Sequence, residues 1–185
     1  ILLISRKALH VSDFDFDPGW LGPKYLDAFS RQSLNEKRKR ITAARMKGSI
    51  PKKMKSLLDG ATAQERIDCI VDDITDASYQ SGNLMLSGRD GQYDCQQVVL
   101  ATGFREAPPG NGLITQTIKE FDLKTAPCGF PVIGPSLRWH ERIFVSGPLS
   151  ELQIGPSARN IAGARHSGRR ITAALNKERL SKKPV

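Results

Sequence analysis

In two segments of the chain, an apolar run ends in small residues. Such a pattern suits a strand whose end contacts a planar or phosphate-bearing ligand. The first segment is the run 98–101 (Val-Val-Leu-Ala), which Thr102 and Gly103 follow directly. A run without polar alternation is typical of a strand buried on both faces of a parallel sheet. Because Gly103 has no Cβ, a ligand could approach the backbone closely there. The alternative is an ordinary strand that ends in Thr-Gly and binds nothing.

The second segment predicts a strand, a glycine and a helix in succession. Residues 143–145 form a short apolar run that leads to Gly147, and after Gly155 and Pro156 a long helix is expected to run from about Ser157 to about residue 175. The free N–H groups at a helix N-terminus attract anions, so this arrangement predicts a seat for an anion or a flavin. A plain core helix that packs its small and apolar side chains inward is the alternative, and the two roles are compatible.

Spacing argues against several other kinds of site. The three histidines are scattered and the three cysteines form no CxxC pair, so we expect neither a metal centre nor a disulfide scaffold. The sequence contains no GxSxG nucleophile elbow, and we assign no catalytic residue. The segment 163–170 resembles a phosphate-binding loop only superficially, because Arg169 replaces the lysine and helical periodicity continues through it.

The composition argues against a membrane-spanning protein, and its positive charge makes a polyanion a candidate ligand. The 185 residues carry a net charge of +9, and no apolar run approaches the roughly 20 residues of a membrane helix. Between Arg31 and Lys55 there are ten Lys or Arg residues against the single Glu36. A helix with this charge could lie along nucleic acid, but no helix-turn-helix spacing or zinc ligand set accompanies it. We therefore expect a solvated face or a surface that attracts NADPH, and nucleic acid as an unlikely partner.

Periodicity predicts the elements that would hold these segments. Residues 1–4 predict a strand, the loop up to Pro23 is rich in Asp, Gly and Pro, and helices follow to Gly60 with a capping box at Ser33–Glu36. From Ile67 to Tyr93, alternation between turns predicts a small antiparallel meander. We expect an α/β, partial Rossmann-like fold for FAD or NAD(P), with a parallel sheet, the antiparallel meander and flanking helices.

Four short segments together resemble a known group of flavoproteins. Residues 17–24, 47–51, 101–104 and 147–165 look like the C-terminal part of FAD- and NAD(P)-binding oxidoreductases, similar to the flavin-dependent N-hydroxylating monooxygenases and uncharacterised relatives. The resemblance implies that residues 1–125 are the distal part of an NAD(P)-binding domain with a helical insertion over 23–60. It also implies that residues 126–185 are the C-terminal part of an FAD-binding domain with a basic tail.

The resemblance also suggests binding roles for individual residues. Arg6 and Lys7 stand where such enzymes read the 2′-phosphate of NADPH, and a cation at a strand end suits that phosphate. The remaining cofactor-binding candidates lie at the ends of the two segments described above: Thr102, Gly103, Gly147, Gly155 and Ser157. In the loop before the helices, Trp20 and Lys24 would line or cover the substrate side, with a structural plug as the alternative for Trp20.

Two departures from the family pattern limit what this chain is expected to do alone. Pro148 occupies a position where many relatives have an Asp that holds the ribityl chain, which leaves Glu151, Gln153 or backbone groups as substitutes. The GxGxxG fingerprints for both pyrophosphates are absent, so the fragment should hold neither FAD nor NADPH tightly.

The resemblance predicts the function of the longer protein to which this chain would belong, and one alternative function remains. We expect the C-terminal fragment of a cytoplasmic, NADPH-using flavin oxidoreductase of monooxygenase type. It would act on a small molecule, be inactive by itself and be completed by a missing N-terminal portion. The alternative is a non-enzymatic basic interaction module that retains the fold and binds a polyanion.

Overall fold

A computed structural model of the protein describes residues 1–46, 48–80, 82–103 and 106–181, and the side chain of Gln80 is not described. The chain forms two compact units, and each is built from two segments. The first unit comprises Ile1–Asp15 with Met46–Phe104, and the second comprises Phe16–Arg45 with Arg105–Val185. The assignment of residues 1–125 and 126–185 to parts of two nucleotide-binding domains stays a prediction.

The first unit contains small parallel and antiparallel sheets. Strand β1 (Leu2–Ser5) pairs in parallel with β4 (Asp68–Val71), and the two-residue strands β2 (His10–Val11) and β3 (Ser49–Ile50) also pair in parallel. Helix α3 (Lys52–Ala63) precedes β4. The predicted meander is present as β5 (Asp76–Gln80), β6 (Asn83–Ser87) and β7 (Gln92–Cys95), but residues 68–71 belong to the parallel pair instead.

The buried strand predicted at residues 98–101 is not formed. These residues have no regular secondary structure, and Val99 and Leu100 are 91% and 79% exposed. An apolar run is buried in a sheet only if neighbouring strands pair with it on both sides. Within the described part of the chain, no strand pairs with it.

The second unit is mainly helical. A 3-10 helix (Pro18–Leu21) is capped by the Asp17 side chain, so the loop predicted to be irregular is in fact partly helical. Helix α1 (Pro23–Ser30) and helix α2 (Leu34–Ala44) follow, and the capping box of Ser33 and Glu36 at the start of α2 is confirmed. Helix α4 (Asn111–Glu120) precedes the antiparallel pair of β8 (Arg138–His140) and β9 (Ile143–Phe144).

The C-terminal part of the second unit is a series of short helices and one long helix. A 3-10 turn (Gly147–Ser150) leads into α5 (Glu151–Ile154), a second 3-10 turn (Pro156–Arg159) follows, and α6 (Ile161–Ser181) ends the described chain. None of the described helices is long and apolar enough to cross a membrane.

Aromatic side chains form the largest hydrophobic cluster of the second unit. Its buried members come from the 3-10 helix and the residues just before it, from α1, α2 and α5, and from the segment after α4: Phe16, Trp20, Phe29, Ile41, Ala126, Phe130 and Leu152. Two smaller clusters form around Trp139 and around Leu137 with Ile154. These clusters fix the position of the turns between residues 147 and 160, where the candidate site lies.

Candidate functional site

The candidate residues of the first unit lie on its surface. Arg6 and Lys7 follow the C-terminal end of β1 directly and are exposed, and the Ser5 hydroxyl donates to the carbonyl of Lys7 at 2.9 Å. Thr102 and Gly103 are also exposed. All four residues are accessible to a ligand, and their role in binding one stays a prediction.

The turn from Gly147 to Ser157 contains the candidate residues of the second unit. Gly147 has a φ of +60° and nothing within 4 Å of the position that a Cβ would occupy, so the space above its backbone is open. Gly155 has a φ of +84°, and a Cβ there would lie 3.3 Å from both Trp20 and Leu26. Only glycine adopts this backbone conformation easily at so close a contact. Ser157 is buried beneath the same turn.

The long helix, whose N-terminus was predicted to form a flavin seat at about Ser157, begins further along the chain. The long helix α6 begins at Ile161, and residues 156–159 form a separate 3-10 turn. The side chain of Asn160 accepts a hydrogen bond from the Gly163 N–H at 3.0 Å, which is the contact made by an N-cap residue. At least one of the backbone N–H groups in the first turn of α6 is therefore already hydrogen-bonded within the protein. The strand-glycine-helix pattern in the sequence did not indicate this side-chain cap.

A buried carboxylate, Glu151, lies at the centre of this turn region. It is fully buried and receives hydrogen bonds from three guanidinium groups. Arg38 donates to Oε1, while Arg45 and Arg159 each donate to Oε2 at 3.0 Å. Because both carboxylate oxygens are engaged and the side chain has no exposed surface, Glu151 is unsuited to hold a ribityl chain. Of the substitutes named for the missing Asp, Glu151 is therefore wrong, while Gln153 and backbone groups stay predictions.

Three of the four cations of α2, all but the exposed Lys39, contact aromatic rings of the second unit. The Lys37 ammonium lies 5.4 Å from the centre of the Phe29 ring, and burial lowers the pKa of Lys37. Arg38 stacks over Phe130 at 4.8 Å, and Arg40 lies over Trp20 at 5.3 Å. These contacts are cation–π interactions. These three cations therefore serve packing, which the expectation for the segment 31–55 did not include. Other cations of that segment, among them Lys39, Lys52 and Lys53, are exposed, and for them a solvated or NADPH-attracting surface stays a prediction.

Trp20 is part of the aromatic cluster, not an exposed cover. It is 4% exposed and packs edge-to-face on Phe29 with ring centres 5.3 Å apart. Lys24, by contrast, is exposed, with its ammonium 5.0 Å from the Tyr25 ring centre. The structure favours the plug alternative for Trp20, and a role of Trp20 and Lys24 at a substrate cleft stays a prediction.

Two polar groups on the inner face of α6 lack hydrogen-bond partners. The Ser167 hydroxyl is fully buried, and Nη1 of Arg170, one turn further along, is also buried. Burial lowers the pKa of Arg170. Among the described residues, no group of three or more His, Cys, Asp or Glu side chains is arranged to hold a metal ion.

Comparison with solved structures identifies proteins of similar fold. The chain aligns with DfoA of Erwinia amylovora, the cadaverine monooxygenase of the desferrioxamine biosynthetic pathway, in its FAD-bound form. The TM-score is 0.66 at 14% sequence identity over 93% of this chain and 44% of that chain. It also aligns with the reduced form of the ornithine hydroxylase PvdA of Pseudomonas aeruginosa, with a TM-score of 0.65 and 16% identity over 95% of this chain and 46% of that one.

A third structure is the ornithine N-hydroxylase KtzI of Kutzneria sp. 744 with reduced FAD, NADP⁺ and L-ornithine. Its TM-score is 0.65 at 15% identity, over 95% of this chain and 46% of that one. A scan against protein-family models and a search of curated proteins give no match. The chain spans less than half the length of these structural neighbours. It therefore has the mixed α/β fold of a part of the FAD-dependent N-hydroxylating monooxygenases, and the resemblance predicted from the sequence is confirmed at the level of fold.

Proposed function

We propose that this chain is the C-terminal part of a flavin-dependent, NADPH-using oxidoreductase of monooxygenase type that acts on a small molecule. One observation carries the proposal: 93–95% of the chain aligns with enzymes that were determined with FAD or NADP⁺, or that hydroxylate small amines. Three free cysteines favour a reducing compartment, and we propose the cytoplasm.

We expect residues of the second unit to contact one edge of a bound flavin nucleotide. The open space over Gly147 would admit a planar group, and the Gly155–Ser157 turn would support the backbone beside it. A bound flavin would supply the redox chemistry, hydride uptake from NADPH and reaction with oxygen. The chain's own contribution would be to orient the flavin and to exclude water around it, and we assign no acid or base.

In the first unit, the exposed cations after β1 would determine the choice of nucleotide. Arg6 and Lys7 would bind the 2′-phosphate that distinguishes NADPH from NADH, and Thr102 and Gly103 would let the nucleotide approach the backbone. The glycine-rich loops for the pyrophosphates would come from the rest of the longer protein. We therefore expect the purified 185-residue chain to be colourless and to bind both cofactors weakly.

The test uses the longer protein with Arg6→Ala and Lys7→Ala combined. A hydrogen bond to a charged phosphate contributes about 1.5–3 kcal/mol, so the Kd of NADPH should rise roughly tenfold or more while that of NADH changes little. The double variant Arg66→Ala with Arg89→Ala removes two exposed cations of the same unit that lie outside the segment 31–55, and it serves as the control. Equal losses for the two nucleotides, or an effect of the same size in the control, would refute the role of Arg6 and Lys7.

The alternative function, a basic module that binds a polyanion, has one observation in its favour, the absence of GxGxxG fingerprints. The packing of Lys37, Arg38 and Arg40 against aromatic rings weakens it, because these cations are not free to follow a phosphate backbone. Retention on heparin that persists at physiological salt would support this alternative, whereas retention lost at that ionic strength would count against it.

A further inference from the structure

The ion-pair cluster around Glu151 contains more positive than negative charge. Three guanidinium groups, those of Arg38, Arg45 and Arg159, share the single carboxylate of Glu151. Glu106, which also pairs with Arg38, adds a second carboxylate. Three cations against two anions leave one positive charge in excess within these five side chains, which we call the Glu151 cluster.

Arg159 is the member of the Glu151 cluster whose hydrogen bonding is incomplete. Its Nε donates to Oε2 of Glu151 at 3.0 Å, whereas its Nη2 is buried and has no hydrogen-bond partner among the described residues. Within the part of the chain that the structure describes, Glu151 is also the only carboxylate within 4 Å of this guanidinium. The excess positive charge is therefore least compensated at Arg159.

The Glu151 cluster adjoins the turn that we propose to contact a flavin. Glu151 lies four residues after Gly147, and Arg159 lies four residues after Gly155, which is about one helical turn in each case. The Glu151 carbonyl accepts a hydrogen bond from the Gly155 N–H at 2.8 Å, and the Gly147 carbonyl accepts one from the Ser150 hydroxyl at 2.8 Å. Both glycines are thus fixed to the segment that carries the charge.

The burial of the Glu151 cluster limits the screening of its charge by water. The Glu151 side chain is fully buried, and the Arg159 side chain is 19% exposed. Charges in such surroundings interact over roughly 10 Å far more strongly than exposed charges do in salt solution. A planar group bound over Gly147 would therefore lie in a positive electrostatic field.

We propose that the excess positive charge of the Glu151 cluster, centred on Arg159, favours the reduced form of a bound flavin over the oxidised form. This inference rests on the proposed function, in which one edge of a flavin contacts the turn from Gly147 to Ser157. Hydride uptake adds two electrons and one proton to the flavin, and hence one negative charge. A fixed positive charge nearby lowers the free energy of the reduced form relative to the oxidised form. The cluster thereby raises the midpoint potential of the flavin.

Potentiometric titration of FAD bound to the longer protein tests this inference. Arg159→Gln removes the charge, so the preference for the reduced flavin should fall roughly tenfold, which for a two-electron couple is a fall in midpoint potential of about 30 mV. Arg159→Lys keeps the charge and should retain a potential close to that of the wild type. The matched control is Arg169→Gln, which removes an exposed guanidinium on α6 of the same unit and should leave the potential unchanged.

A substitution of opposite charge distinguishes an electrostatic role from a structural one. Glu106→Gln removes a negative charge from the cluster at a side chain that is 34% exposed, so this variant is expected to fold. It should raise the midpoint potential, whereas a loss of packing would not shift the potential in opposite directions in the two variants. If Arg159→Gln does not fold, the comparison of Glu106→Gln with the wild type decides the question.

The outcomes separate this inference from the proposed function. A wild-type potential in Arg159→Gln, a fall or no change in Glu106→Gln, or an equal shift in Arg169→Gln would overturn the inference and leave the proposed function standing. Failure of the wild-type longer protein to bind FAD would instead refute the proposed function, and the inference with it.

Discussion

The substitution Glu151→Gln tests the cluster that joins α2 to the turns around residue 155. Glutamine keeps the size of the side chain but removes the negative charge that three guanidinium groups share. The side chains of Arg38, Arg45 and Arg159 are only 15–19% exposed, so water can replace the lost charge only in part. The variant therefore removes the negative charge that these mostly buried cations share.

The expected cost follows from the behaviour of buried ion pairs. Removing one partner of a buried pair typically costs about 3–5 kcal/mol, because the remaining charge stays desolvated. For a chain of this length that corresponds to a fall in melting temperature of roughly 6–20 °C. Both tryptophans, Trp20 and Trp139, belong to the second unit, so their fluorescence reports the unfolding of the unit that contains the cluster.

Glu106→Gln is the matched control, since Glu106 also pairs with Arg38. The separation is 3.5 Å and the Glu106 side chain is 34% exposed, so this pair should contribute about 0–1 kcal/mol. If Glu151→Gln lowers the free energy of unfolding by less than 1 kcal/mol, or by no more than the control does, the carboxylate is not what holds the three arginines. The structural role given to the cluster would then be wrong.

Three further predictions concern other features of the chain. Gly163→Ala should lower the free energy of unfolding by about 1–3 kcal/mol, because a Cβ there would lie 2.0 Å from the Ser157 carbonyl oxygen. Gly168→Ala in the same helix has open space and should raise the free energy of unfolding by about 0.5–1 kcal/mol. Thermal melts of the two variants measure this contrast. Trp20→Phe should cost about 1–3 kcal/mol if Trp20 is core, and unchanged stability with altered turnover of the longer protein would mean a cover instead. The hydrogen bond from Tyr93, with those from nearby backbone N–H groups, lowers the pKa of Asp72. Its stabilisation is therefore present above the ordinary carboxyl pKa and is lost as pH falls through the lower folded value. Hydrogen exchange in β6 and β7 should show this acid-dependent loss in the wild type and not in Asp72→Asn.

Local sequence signals were sufficient where the contacts are local. The capping box at Ser33 joins residues three apart, and turn residues between alternating segments marked most of the meander. Four short segments also sufficed for the resemblance that the fold comparison confirms. In each case the interaction lies within a few residues, or the segments keep a fixed order along the chain.

The Glu151 cluster could not be predicted because its partners are far apart in sequence. Arg38 lies 113 residues before Glu151, and nothing in the spacing of α2 shows which of its cations will be buried. One signal was available: Arg38 and Arg45 are two helical turns apart, so they share a face directed to one partner. A dense run of cations was instead interpreted as solvated, since most charge runs are.

The failure at residues 98–101 has a different cause, and it bears on how the site is tested. The composition of this run predicts its preferred environment, a strand with neighbours, but that environment also depends on which other strands are present. The second unit has a core of its own, whereas the described residues of the first contribute no buried apolar side chain. The proposed nucleotide contacts of Arg6, Lys7 and Gly103 all belong to this first unit. A substitution at these residues is best assayed in the longer protein, where a change in nucleotide affinity can be separated from a change in folding.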